Sequence, residues 1–176
     1  MKPRHLTAVV LLVQVLALLL SACGDMEDAG GIIGGDFVIP KGVLNHNVQK
    51  IQIIALKGSR DTTAILQSCQ SDNLAAKVFS KSDMVKFYSG NDKSRSYVQN
   101  ITADELQAGL NLKVEVETGT NYIFIIEIIA DLGDGTSQVV ANGSGMYQKV
   151  AKGSNKKLSV VLSELSPALT CSPLID

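Results

Sequence analysis

LNLKVEVETGTNYIFIIEIIADL, residues 110–132, is the stretch from which the fold is read. Leu110, Leu112, Val114 and Val116 alternate with Asn111, Lys113, Glu115 and Glu117. That period of two describes a strand with one face on a core and the other in water. Thr118-Gly119-Thr120 reads as a turn, and a second strand follows. Tyr122, Phe124, Ile126, Ile128, Ala130 and Leu132 share one of its faces, while Ile123, Ile125 and Ile129 surround Glu127 on the other. A strand apolar on both sides is predicted to lie in the middle of a sheet.

Working outward, Asp131-Leu132-Gly133-Asp134-Gly135 suits a hairpin turn, because Asp-Gly tolerates positive φ. A strand over 138–150 follows, in which Gly143 and Gly145 suggest a bulge or bend. Residues 152–156 form a turn and 158–165 the last strand. Upstream, 48–56 (VQKIQIIAL) alternates with Ile51, Ile53 and Ala55 on one face, and 37–40 reads as a short edge strand ended by Pro40. Residues 58–109 are less regular. They predict a short helix over 72–79, a strand over 84–88 and an exposed loop over 89–96. A capping box from Thr102 to Glu105 predicts about one helical turn that stops by Gly109. Many short strands with little helix predict an all-β fold, an antiparallel β-sandwich with one or two short helical turns.

Val116-Glu117-Thr118-Gly119-Thr120-Asn121-Tyr122 resembles the lead into the F strand of fibronectin type III and related immunoglobulin-like domains. The resemblance implies an immunoglobulin-like sandwich with a tyrosine corner, in which the Tyr122 hydroxyl bonds upstream backbone. The chain departs from that family in having no Trp.

The N-terminus carries an address. Lys2, Arg4 and His5 precede an apolar run over 6–20, and Ser21 and Ala22 then lead to Cys23. Leu20-Ser21-Ala22-Cys23 is similar to the lipobox of bacterial lipoproteins at all four positions. The resemblance implies cleavage before Cys23 by signal peptidase II and a diacylglyceryl group on its thiol. Leu20 is too bulky for the −3 position of an ordinary signal peptidase site, and the run is shorter than the ~20 apolar residues of a membrane-spanning helix. Gly24, rather than Asp, follows the Cys, which in the lipoprotein family implies the outer membrane. Residues 24–36 (GDMEDAGGIIGGD) hold five glycines and four acids, and read as a flexible tether with a reach of roughly 20 Å. The expected organisation is therefore a signal peptide over 1–22, a lipidated tether over 23–36 and one sandwich domain over 37–176.

The formal net charge of the chain is −1, and loss of Lys2 and Arg4 with the leader makes the mature part more acidic. No nucleic-acid partner is expected from that balance, nor is general attraction to anionic membranes. With Cys23 taken by lipid, Cys69 and Cys171 are an even pair in an exported chain and predict a disulfide, the alternative being two buried thiols.

Catalytic groups are scarce. The mature chain has one histidine, His46, in the polar setting Asn45-His46-Asn47, where solvation explains it better than a triad. Asp131 and Asp134 are weak calcium candidates whose positions turn chemistry explains equally well. Glu115 and Glu117 share a strand face, whereas glycosidase carboxylates oppose one another. Lys149, Lys152, Lys156 and Lys157 cluster around the last hairpin, where lysines guard turns and strand edges against aggregation more often than they bind phosphate.

The expectation is a non-catalytic binding or structural module of the bacterial envelope. It would be held in the outer membrane by the Cys23 lipid, face the periplasm or the cell surface, and meet a protein partner there. No cofactor beyond that lipid is expected. The alternatives are a small hydrolase or carbohydrate-active protein using carboxylates, and an accessory subunit of a secretion or assembly machine.

Overall fold

A computed structural model describes residues 30–89, 92–131 and 136–171. The expected signal peptide, Cys23 and Asp134 lie outside them, as do most of the predicted 131–135 turn and the first part of the expected tether.

The described residues form two facing sheets. One runs in the order β10 (Leu158–Val161), β1 (Gly31–Val38), β6 (Lys113–Val116), β3 (Phe87–Ser89), β4 (Asp92–Ser94), with the two-residue β9 (Gly153–Ser154) also on β1. The other runs β11 (Ser163–Thr170), β8 (Ser137–Val150), β7 (Gly119–Asp131), β2 (Val48–Lys57), β5 (Ser96–Asn100). The chain is an all-β sandwich of immunoglobulin-like order. In sequence, β1, β2, β3, β6, β7 and β8 take the positions of immunoglobulin strands B to G, with β1-β6-β3 facing β2-β7-β8. The place of strand A is filled from the other end of the chain by β10. It runs parallel to β1, as does β9, in an otherwise antiparallel structure.

The core follows from the alternation in β7. Phe124, Ile126 and Ile128 point between the sheets and meet Ile33, Phe87, Val114, Val116 and Val160. Each such fully buried side chain contributes roughly 1.5–3 kcal/mol. Ile123 and Ile125 point the other way, and with Ile54 and Leu56 of β2 they meet Ile65, Phe79 and Met84. That second layer comes from the first part of the irregular region of the sequence. It comprises α1 (Thr62–Leu66), α2 (Gln70–Ala75) and a 3-10 turn (Lys81–Asp83), laid over the outer face of β2 and β7. The apolar double face of β7 therefore has a cause on each side. The third short helix, α3 (Ala103–Ala108), starts at the predicted capping box and stops at Gly109, whose φ is 89°.

Several expectations are corrected. The predicted helix at 72–79 is α2, which begins earlier, at Gln70. The loop expected at 89–96 contains β4 and the start of β5, and the strand expected at 158–165 is divided between β10 and β11. The largest correction concerns residues 31–36. They belong to β1, so the domain begins ahead of Phe37, and 37–40 is no edge strand. Residues 31–34 pair with β6 and 35–38 with β10. The glycines read as tether serve close approach instead. A Cβ on Gly31 would lie 2.3 Å from Val150 Cγ1, and one on Gly30 would lie 2.6 Å from the Val116 carbonyl oxygen.

Candidate functional site

Cys69 and Cys171 form a disulfide, with their Cα atoms 5.8 Å apart. It ties the residue just before α2 to the chain just after β11 and so holds the helical layer against the sheet. At the other end of β7 the Tyr122 hydroxyl donates to the Thr118 carbonyl at 3.0 Å. Gly119 leaves room for it, since a Cβ there would meet the hydroxyl. Burial pushes the Tyr122 hydroxyl pKa up to about 12, with Glu117 and Tyr88 adding to the effect. This is the geometry of a tyrosine corner.

The sequence-derived acids are dispersed. Glu115 accepts from the Gly30 backbone N–H at 3.0 Å, and Glu117 pairs with Lys57 at 3.3 Å. Asp131 accepts from the Gln49 amide at 3.0 Å. His46 stands at the surface, 3.9 Å from Glu164. Among the described residues no three His, Cys, Asp or Glu side chains converge as a metal site would require.

Two features do bring polar groups together. The first is buried beneath α1 and α2. Glu127, only 2 % exposed, accepts from the Gln52 amide at 2.8 Å, while its other oxygen has no well-formed partner. Burial pushes its carboxyl up to about 7, against Gln70 and Gln52, which favour the charged form. Gln70 and Asn73 of α2 donate to the Ile65 carbonyl of α1 and tie the two helices together, and Asn142 of β8 donates to the Leu66 carbonyl and ties that layer to the sheet. The sequence signal is a single carboxylate among Ile123, Ile125 and Ile129; its amide partners Gln52 and Gln70, from two other elements, carry none.

The second feature is an open groove of about 550 Å³ between the end of β8 and residues 154–159. Its cause is a change of side-chain size along β8. β11 pairs with β8 only as far as Asn142, leaving the following edge to face β10. Gly143 and Gly145 let β10 close on it: added Cβ atoms would come within 2.7 Å of the Val161 carbonyl and 2.8 Å of Val160 Cγ2. From Met146 onward side chains separate the strands, and the groove opens. The Tyr147 hydroxyl bridges it to the Lys156 carbonyl at 2.8 Å, its ring edge-on to Phe124. Asn155 holds the hairpin in shape, exchanging bonds of 2.8 and 2.7 Å with the Ala151 backbone and donating to the Gly153 carbonyl at 2.8 Å. Exposed on this frame are Lys149, Lys156 and Lys157, with Met146 at 66 % exposure. The arrangement can attract anions and cover an apolar side chain; it presents no nucleophile paired with a base.

Comparison with known protein families, with characterised proteins and with solved structures finds no match.

Proposed function

We propose that this chain is a lipid-anchored module of the bacterial envelope, held in the outer membrane through Cys23, that binds a protein partner or braces envelope structure without catalysing a reaction. The observation that supports it best is the use of its three cysteines. Cys69 and Cys171 are joined within the fold, as suits an oxidising compartment outside the cytoplasm. Cys23 stands apart at the lipobox, seven positions ahead of Gly30. Sheet edges and the loops at the far end from Gly30 are the surfaces offered to a partner, through β5 above all, where Val98 is 42 % exposed on an outer strand.

The test is fractionation of cells making the native chain or Cys23→Ala. The native protein is expected with the outer membrane and in the detergent phase, and the variant in the soluble periplasmic fraction. A variant that stays with the membrane refutes the anchor.

One observation favours the hydrolase alternative: Glu127 has the raised pKa that a general acid needs. A substrate would reach it only after α1 and α2 lifted from the sheet, so the binding module is the better reading.

A further inference from the structure

We propose that the hairpin bearing Lys149, Lys156 and Lys157 is the membrane-facing end of the domain and binds the anionic phosphates of lipid headgroups. The inference rests on the anchored reading above and adds an orientation and a second contact to it.

The geometry begins at Gly30. The Gly153 backbone N–H donates to the Gly30 carbonyl at 3.2 Å, Gly31 and Ile32 pair with Gly153 and Ser154, and the Asn155 N–H donates to the Ile32 carbonyl at 2.9 Å. The point where the chain enters the domain and the lysine hairpin are thus one hydrogen-bonded unit. Gly30 lies seven positions after Cys23, and a fully extended chain over seven steps spans at most about 25 Å. Any less extended connection brings the hairpin toward the roughly 8–10 Å over which charges interact at physiological salt.

The chemistry of this end fits an anionic surface. Lys149, Lys156 and Lys157 are exposed, and no described carboxylate lies within ion-pair distance of them. The two acids nearest the entry point are engaged, Glu115 by the Gly30 N–H and Glu117 by Lys57. Exposed Met146 lies beside the lysines, where a flexible apolar side chain can enter the headgroup boundary. A countercurrent exists: Asp25, Glu27 and Asp28 lie in the connection itself, and their charges oppose attraction to an anionic surface. The lysines stand on a backbone that Asn155 and Tyr147 hold in place. That favours a contact surface over simple protection of an edge.

The test uses the mature chain from residue 23 with Cys23→Ser, so that no lipid supplies binding, and with the disulfide intact. It is sedimented with vesicles of phosphatidylglycerol in phosphatidylcholine, and with phosphatidylcholine alone. Expected are salt-sensitive binding to the anionic vesicles alone and a loss of tenfold or more in K149E/K156E/K157E, whose melting stays that of the parent. A second variant, D25N/E27Q/D28N, is expected to bind at least as well as the parent. The proposal is overturned if lysine reversal leaves binding unchanged, if neutral vesicles bind equally, or if neither the parent nor D25N/E27Q/D28N binds at low salt. It is also overturned if millimolar inorganic phosphate at constant ionic strength abolishes binding, which would mean a discrete phosphate site. Because Cys23 is absent throughout, this result is independent of the fractionation that tests the anchor.

Discussion

Glu127→Gln removes an ionisable group from the interior of the domain while keeping its shape, and its effect depends on pH. In the fold the carboxyl pKa is raised from 4.5 to about 7, because burial penalises the charged form more than the Gln70 and Gln52 hydrogen bonds favour it. The folded state therefore holds this proton at pH values where the unfolded chain has released it. Stability from Glu127 is full below about 4.5, declines through the interval and is lost above about 7. A rise of this size corresponds to about 3 kcal/mol between the two limits. For a domain of this length that is a difference in melting temperature of roughly 6–12 °C. Urea denaturation of native protein and Glu127→Gln, at a series of pH values from 4.5 to 8.5 with the disulfide intact, measures it. The native protein is expected to lose stability relative to the variant as pH rises, the two being closest at the acid end. Subtracting one profile from the other removes every other titrating group. Parallel profiles would refute the argument, for they would mean that Glu127 is ionised in the fold or reaches water.

Two further outcomes follow from the packing. Replacing both Cys69 and Cys171 by Ser is expected to cost up to about 4–5 kcal/mol, the chain-entropy value for a bridge of this span, and to accelerate hydrogen exchange over 62–84 more than in β7; a loss below about 1 kcal/mol with uniform exchange would show that the helical layer does not depend on the bridge. Gly31→Ala places a methyl group against Val150 and the Ala151 carbonyl and is expected to cost roughly 1–3 kcal/mol, whereas Gly34→Ala, whose nearest neighbour would be Lys157 Cγ at 3.4 Å, stays within about 0.5 kcal/mol. Equal effects in thermal melts would overturn the close-approach account of β1.

The sequence made the second half of the domain legible, because alternation along 110–132 records which face each residue buries. It also announced that the back of β7 is covered, since Ile123 and Ile125 have no reason to face water. What covers it was hidden, for α1 and α2 are each about one turn long, and so short a helix carries no full period of apolar spacing. β1 is hidden in the sequence because glycine has two opposite uses. A run of Gly and Asp has the composition of a linker, and only the positions of Val150 and Val116 show that the same glycines admit neighbouring chains. Ile32 and Ile33, with only three residues between them and Phe37 and Val38, are the available hint. The groove was legible in its parts, the paired glycines of β8 and the lysines of the hairpin, but not in their assembly. That required knowing that β10 pairs with β1 and leaves its other edge to β8.

The way β1 is held also governs how the domain bears load. A pull applied at Gly30 acts along the axis of a strand bonded on both sides, to β6 over its first half and to β10 over its second. If the far end is held by a partner, those bonds are strained in shear, together, and cannot be peeled off one by one as at a frayed edge. Because β10 comes from the C-terminal part of the chain, tension entering near the first residues of the domain passes at once to its last strands. A strand with the composition of a linker is thus the mechanical clamp through which the domain would resist traction.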